Sequence, residues 1–439
     1  MDTFVYKDHK KLRCGYTTGT CAALAAQGAV RFLLTGSWEE TEEIMTPKGI
    51  PVCVSLEEKT SGDSWAECAV RKDAGDDYDV TNGILVYARA EFVKDKNFYE
   101  KVQMSHLESS GFGAAGEKPG LSPENQKQQK KANAAHQKDA LPESLVRIDG
   151  GIGIGRITKS GLDQPVGAAA INSVPRKMIQ DAVYELLEEA GELRLVSITI
   201  SVPAGVEAAK KTFNPVLGIE GGISVLGTSG IVEPMSEEAL VETIRTHLNV
   251  LKAEGRKWVI AVPGNMGAGF LKGYLTEQNK TSVGSMEAFM NSLVTMSNFV
   301  GRTIDITAEL GFSGILIAGH MGKLVKIGNG IMNTHSREAD GRMDTMLSCA
   351  LSAGTEDLEL LRKIQGSNTT DEVMDHLKQA GILDDTIKVF LKRAAWHLAH
   401  RSRAEVKTGM IVFGTKGEYL GETEDADMIF KKALEELGR

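Results

Sequence analysis

The apolar and polar positions of this chain change rhythm along its length. Residues 21–34 are apolar nearly all round and rich in Ala, which predicts a buried helix closed at Thr35-Gly36. Strand-like runs follow near 50–56, 65–71 and 83–92. From about 104 to 143 the pattern is lost. SSGFGAAGEKPG is turn-rich and ENQKQQKKANAAHQK has almost no large apolar residue, so a mobile surface insertion is expected there. A strand resumes at 145–148, and a helix is expected over roughly 177–190, closed by Gly191. Beyond it, strand-like segments at 195–202, 223–226, 258–262, 315–318 and 410–413 alternate with helix-like ones. The latter fall at 237–253, 286–293, 297–310, 342–351, 357–364, 370–380, 384–400 and 425–437. Such alternation predicts a mostly parallel sheet covered by helices. The expected architecture is therefore two-domain α/β. An N-terminal α+β domain (1–191, with the insertion) precedes a C-terminal α/β domain (192–439) with a mostly parallel, Rossmann-like sheet.

Composition narrows the classes. The 439 residues exceed one ordinary core, and 42% hydrophobic with 25% charged residues is typical of a globular protein. A net charge of −9 and the lack of a basic patch with aromatics argue against nucleic-acid binding, without excluding an anionic small molecule. The five Cys form no CxxC pair, which fits a reducing cytoplasm better than a disulfide framework. No signal peptide and no run of membrane-spanning length is seen, so a cytoplasmic protein without membrane contact is expected.

The candidate chemistry lies where strands end. The apolar run 315–318 breaks at Gly319-His320, followed by Lys323, Lys326 and the polar string Asn333-Thr334-His335-Ser336-Arg337. A buried strand ending in Gly and reactive side chains is how open α/β sheets build ligand sites, and the clustered cations suggest an anionic ligand. An ordinary strand-turn-helix with solvated charges is the alternative. Gly227 to Gly230, after one strand, and Gly264-Asn265, after the next, repeat the arrangement, which points to a cleft lined by Gly-rich strand ends. Thr17-Thr18-Gly19-Thr20 precedes the Ala-rich helix. Its amides and hydroxyls offer an anion cradle, with plain N-capping as the alternative. Asp149-x-Gly151-x-Gly153-x-Gly155 fails the dinucleotide pattern, because Arg156 and Thr158 occupy the required Gly positions. A structural or substrate-facing turn is expected there, with Arg156 and Lys159 as anion contacts. The acidic loop 73–79 lacks the spacing of a calcium loop and reads as turn and ion pairing.

These stretches resemble the cobalt-precorrin-5B C1-methyltransferase (CbiD) family of anaerobic cobalamin biosynthesis. The matching segments are GYTTGTCAALAA (15–26), VRKDAGDDYDVTNG (70–83), DGGIGIGRITKSGL (149–162), VGAAAINSVPRKMI (166–179), GGISVLGTSGIVEPMSEEAL (221–240), MSNFVGRTIDITAELGF (296–312) and GHMGKLVKIGNGIMNTHSREADGRMD (319–344). The chain departs from the family in the length of its 104–143 insertion and in Ser173, where the first Pro of Pro-Val-Pro is expected. The resemblance implies methyl transfer from S-adenosylmethionine to C1 of cobalt-precorrin-5B, giving cobalt-precorrin-6A and S-adenosylhomocysteine. Cobalt would enter only within the substrate, with no metal held by the protein itself. Thr17, Thr18, Thr20, Arg156, Lys159 and Lys323 would then hold the carboxylates of the tetrapyrrole. The donor would lie along Gly227, Thr228, Ser229, Gly230 and Glu233, with Gly264, Asn265 and Gly319; the 149–155 loop is the rival place. His335 and His320 would steer a proton or contact cobalt. A homodimer and transient contact with other enzymes of the cobalamin pathway are the further partner expectations. Two other readings stay open: a corrinoid carrier without catalysis and, more weakly, a Rossmann-type reductase.

Overall fold

The computed structural model describes residues 3–7, 9–93, 145–277 and 285–438. The expected 104–143 insertion lies outside them. Contacts divide the chain into two units, Met1–Thr158 with Asp163–Met235, and Lys159–Leu162 with Ser236–Arg439.

In the first unit, β1 (Gly15–Tyr16) leads into α1 (Thr18–Thr35). Strands β2 (Glu57–Ser61), β3 (Trp65–Arg71), β4 (Leu85–Phe92) and β5 (Val146–Gly150) follow, then α2 (Ser173–Ala190), β6 (Val196–Ser201) and β7 (Ile231–Val232). The main sheet runs β2-β3-β4-β6-β5, antiparallel except between β6 and β5. Helix α1 is buried without interruption from Thr18 to Val30, which is why its sequence is apolar on every side. Small residues let it sit close to its neighbours: a Cβ on Gly28 would lie 2.5 Å from Leu56 Cδ1, and one on Gly19 would lie 2.8 Å from Pro175 Cγ.

The boundary expected near Gly191 falls instead between Met235 and Ser236. The strand expected to open the second domain is β6, and it pairs with β4 and β5 inside the first sheet. Its alternation turns Val196, Ile198 and Ile200 into the first unit's core. Periodicity identifies such a strand but not the partners that complete its hydrogen bonds.

In the second unit the main elements are α3 (Glu237–Ala253), β8 (Trp258–Val262), α4 (Asn265–Glu277), β9 (Leu293–Thr295), α5 (Val300–Glu309) and β10 (Gly314–His320). They continue with α6 (Met321–Leu324), α7 (Arg342–Ser352), α8 (Thr370–Gln379), α9 (Leu383–Arg401), β11 (Lys407–Phe413), β12 (Tyr419–Glu422) and α10 (Ala426–Leu437). The sheet order is β9-β8-β10-β11-β12. Its first four strands are parallel and β12 is antiparallel. Alternate residues feed two cores. Val259, Ala261, Ile315, Ile317, Met410 and Val412 enter one, while Ile260, Val262, Leu316, Ala318 and Ile411 enter the other. Burial on both faces explains why these strands read as continuous apolar runs. The chain is thus mixed α/β, as expected. In this unit α4, β9 and β12 escaped the sequence reading. Helix α4 carries three glycines, and β9 follows directly on a helical turn. Among the described residues no helix is long and apolar enough to cross a membrane.

Candidate active site

Much of the expected anion cradle is bonded to the chain itself. Thr17 caps α1, its Oγ1 accepting from Thr20 N at 3.2 Å. Thr17 N donates to Gly230 O, Gly19 N to Leu226 O, and Thr20 Oγ1 to Gly230 O at 2.7 Å. Thr18 is buried in the same cap. The 227–230 loop thus closes on the helix N-terminus and takes up donors that would otherwise face an anion. Gly227 is needed for that closure. Its φ is 141°, and a Cβ there would lie 2.1 Å from Thr17 Oγ1. Ser229 Oγ donates back to Ile231 O, and Glu233 pairs with Lys48. The sequence placed Gly227, Thr228, Ser229 and Gly230 on the edge of the second sheet. They belong to the first unit, where β7 pairs with β1.

The glycines at 149–155 also serve packing. A Cβ on Gly153, where φ is 77°, would lie 1.7 Å from Val202 O, and one on Gly151 would lie 2.3 Å from Ser201 Oγ. Arg156 clamps this turn, donating to both Asp149 oxygens and to Gly150 O. That ion pair holds the Asp149 carboxyl below the usual carboxylate range. Arg156 is therefore engaged within its own turn. Lys159 belongs to the second unit and pairs with Glu254 at 3.0 Å. In the acidic loop, Asp73 grips Arg13, Asp77 accepts from Met235 N, and Asp79 pairs with the buried Lys72. Ion pairing and turn formation account for it, as expected.

The remaining expected residues converge on the carboxyl edge of the second sheet. The chain leaves β8 to form β9 on one side, then crosses back to form β10 and β11 on the other. The strand order therefore reverses between β8 and β10, and open α/β sheets bind ligands outside the carboxyl ends at such a point. Gly264 and Asn265 follow β8, while Gly319 and His320 end β10, so the four flank the reversal. A Cβ on Gly264 would meet nothing within 4 Å, which leaves the backbone there open to a ligand. By contrast, Gly267 seats α4 on β10, because its Cβ would lie 2.9 Å from Ala318 O.

Lys323, one turn beyond β10, donates to Asn298 Oδ1 at 3.0 Å. Partial desolvation, and then Lys326, lower its pKa from the usual lysine range. Asn298 O also accepts from Thr334 N, which ties the His335 loop to the same edge. Lys326 is buried and braces that loop from below, donating to Thr334 O and Ala339 O. Two observations mark strain or an open valence here. Ser297, just past β9, holds φ at 52°, and the buried Thr334 Oγ1 has no hydrogen-bond partner among the described residues.

The two histidines differ. His320 Nδ1 accepts from Gly322 N at 3.0 Å, which requires that nitrogen to be unprotonated. Its Nε2–H then donates to Thr415 Oγ1 at 2.8 Å, and Thr415 in turn donates to Asp371 at the start of α8. Both ring nitrogens are thus engaged. His335 Nδ1 accepts from Arg337 N, and no partner is seen for Nε2 among the described residues. Asn298, Asp371 and Thr415 did not emerge from the sequence as site residues, and Lys326 appeared there only as one of the clustered cations. The polar pair Ser297-Asn298 directly after an apolar run was the one available signal, and it read as the start of a helix.

The profile of the CbiD family matches residues 5–128 and 126–234, and that of the CbiD C-terminal domain matches 333–424. A cobalt-precorrin-5B C(1)-methyltransferase of Ruminiclostridium cellulolyticum is 38% identical over 94% of this chain and 92% of its own length. One from Thermoanaerobacter sp. is 39% identical over 87% of each chain, and one from Methanocaldococcus jannaschii is 36% identical over 95% and 98%. A crystal structure of a cobalamin biosynthesis protein (CbiD) from Archaeoglobus fulgidus overlaps 77% of this chain at 23% identity with a TM-score of 0.35, too loosely to carry an argument. Identity at this level across almost the whole of both chains, with both family profiles matched in order, shows that the chain belongs to the CbiD family.

Proposed function

We propose that this chain methylates C1 of cobalt-precorrin-5B in cobalamin biosynthesis, with S-adenosylmethionine as donor and cobalt present only within the substrate. Near full-length likeness to relatives named for this reaction carries the reading. The strand-order reversal flanked by Gly264-Asn265 and Gly319-His320 supports placing the chemistry at the carboxyl edge of the second sheet.

The donor supplies a methyl group on a cationic sulfur; the ring carbon's electron pair forms the new bond while the carbon–sulfur pair stays on sulfur. The protein's part is position. Backbone at Gly264, beside the exposed Asn265, leaves room for the donor, while Gly319 packs against Leu324 and Pro263 and shapes the end of β10. Lys323, oriented by Asn298, holds a ring carboxylate by a charge-assisted hydrogen bond. Thr334 Oγ1 offers a further polar contact. His320, fixed between Gly322 and Thr415, is a positioning residue, while His335 Nε2 is the ring nitrogen left to move a proton. Orientation of two reactants can contribute up to about 7–11 kcal/mol to lowering a barrier, so little further chemistry is asked of side chains.

Incubation with methyl-labelled S-adenosylmethionine and cobalt-precorrin-5B tests the function. Label at C1, with S-adenosylhomocysteine formed in equal amount, is expected. Tight binding of the ring with no transfer would instead identify a corrinoid carrier.

A further inference from the structure

Beside the carboxyl edge, a cavity of about 390 Å³ opens between α4 and the β11–β12 turn. One face of α4 lines it, carrying Gly269, Phe270, Gly273 and Tyr274 at helical spacing. Phe413 and Tyr419 face them. Phe270 and Phe413 stack at 4.2 Å between ring centroids, and Tyr274 and Tyr419 at 5.9 Å.

The two glycines are unexplained by the fold. Gly is the poorest helix former after Pro, and neither position has the positive φ that would call for it. Nor does packing demand it: a Cβ on Gly269 or Gly273 would meet nothing within 4 Å, unlike one on Gly267 in the same helix. Their effect is to keep the cavity open. Thr415 lines the cavity and also accepts from His320, so one hydrogen bond joins the cavity to the strand-order reversal.

We propose that this cavity receives the adenine end of the S-adenosyl donor, with its sulfur directed toward the His320 edge. The proposal rests on the methyltransferase reading above. A volume of this size suits a small ligand, and aromatic faces suit a flat neutral base. Among the described residues Lys416 is the one cation in the lining, which suits adenosine better than a tetrapyrrole ringed by carboxylates.

Gly273→Leu tests this, since it fills the cavity while improving the helix. Titration calorimetry with S-adenosylhomocysteine is the readout, beside a thermal melt of each protein. The expected result is a Tm at or above that of the parent chain and at least tenfold weaker binding. Gly269→Ala, a smaller plug, is expected to weaken binding severalfold and keeps the test open should the Leu variant not fold. Unchanged affinity in a folded variant would overturn the cavity assignment and leave the methyltransferase reading intact. Absence of binding to the parent chain would overturn the donor reading itself.

Discussion

At the scale of single residues, what the sequence could reveal depended on how far away each residue's partner lay. Gly264, Gly319 and His320 were legible because each follows directly on an apolar run, and a strand that stops at a Gly or His announces an edge. Lys326 was visible only as a charge. Its burial and its two carbonyl partners depend on a loop 8 and 13 residues further on. Thr415 is joined to His320 across 95 residues and Asp371 to Thr415 across 44, and no local pattern marks either. The Thr17–Thr20 cluster shows the converse. Its residue types suit an anion, yet the chain's own carbonyls reach them first. Lys323→Met is expected to raise KM for the tetrapyrrole about tenfold to a hundredfold, corresponding to ~1.5–3 kcal/mol for a hydrogen bond to a charged group, with kcat little changed. Steady-state kinetics at fixed donor concentration checks it; an unaltered KM would remove Lys323 from the substrate site.

At the scale of elements, periodicity located α3 to its ends, and the buried cores of β8, β10 and β11, because amphipathic or doubly buried segments carry their packing in their sequence. It missed α4, whose Gly267, Gly269 and Gly273 imitate a loop, and β9, three residues long. The 149–155 turn is a glycine pattern set by close backbone approach. Gly153→Ala is expected to destabilise the first unit by more than about 2 kcal/mol, since it combines an unfavourable φ with a clash against Val202 O. Urea unfolding followed by circular dichroism measures it, and a loss below 0.5 kcal/mol, roughly that of an ordinary surface change, would contradict it.

Helix α3 carries a second such consequence. His247 is buried, and its ring donates to Asn291 O. Burial lowers its pKa from 6.5 to about 4. The folded chain therefore keeps this ring neutral while the unfolded chain takes up a proton, so stability is lost as pH falls from about 6.5 toward 4. The full loss is about 3 kcal/mol. His247→Gln retains a donor without the titration. Its stability is expected to fall less steeply than the parent's between pH 7 and pH 5; equal slopes would show that His247 does not titrate on unfolding.

At the scale of the whole molecule, the α/β class was legible and the division of the chain was not. Alternating strands and helices identify the class, whereas the boundary depends on which sheet β6 joins, a matter of pairing rather than pattern. The same holds for the site. Glycine-rich strand ends looked alike in the sequence, but only those after β8 and β10 flank a reversal of strand order, while the 227–230 loop caps α1 in the other unit. The methyl donor is proposed to bind at the carboxyl edge of the second sheet. A crystal structure of the chain with S-adenosylhomocysteine tests it most directly. The thioether sulfur is expected beside Gly264 and His320, with adenine against α4. A ligand seated at the 227–233 loop or the 149–155 turn would contradict it.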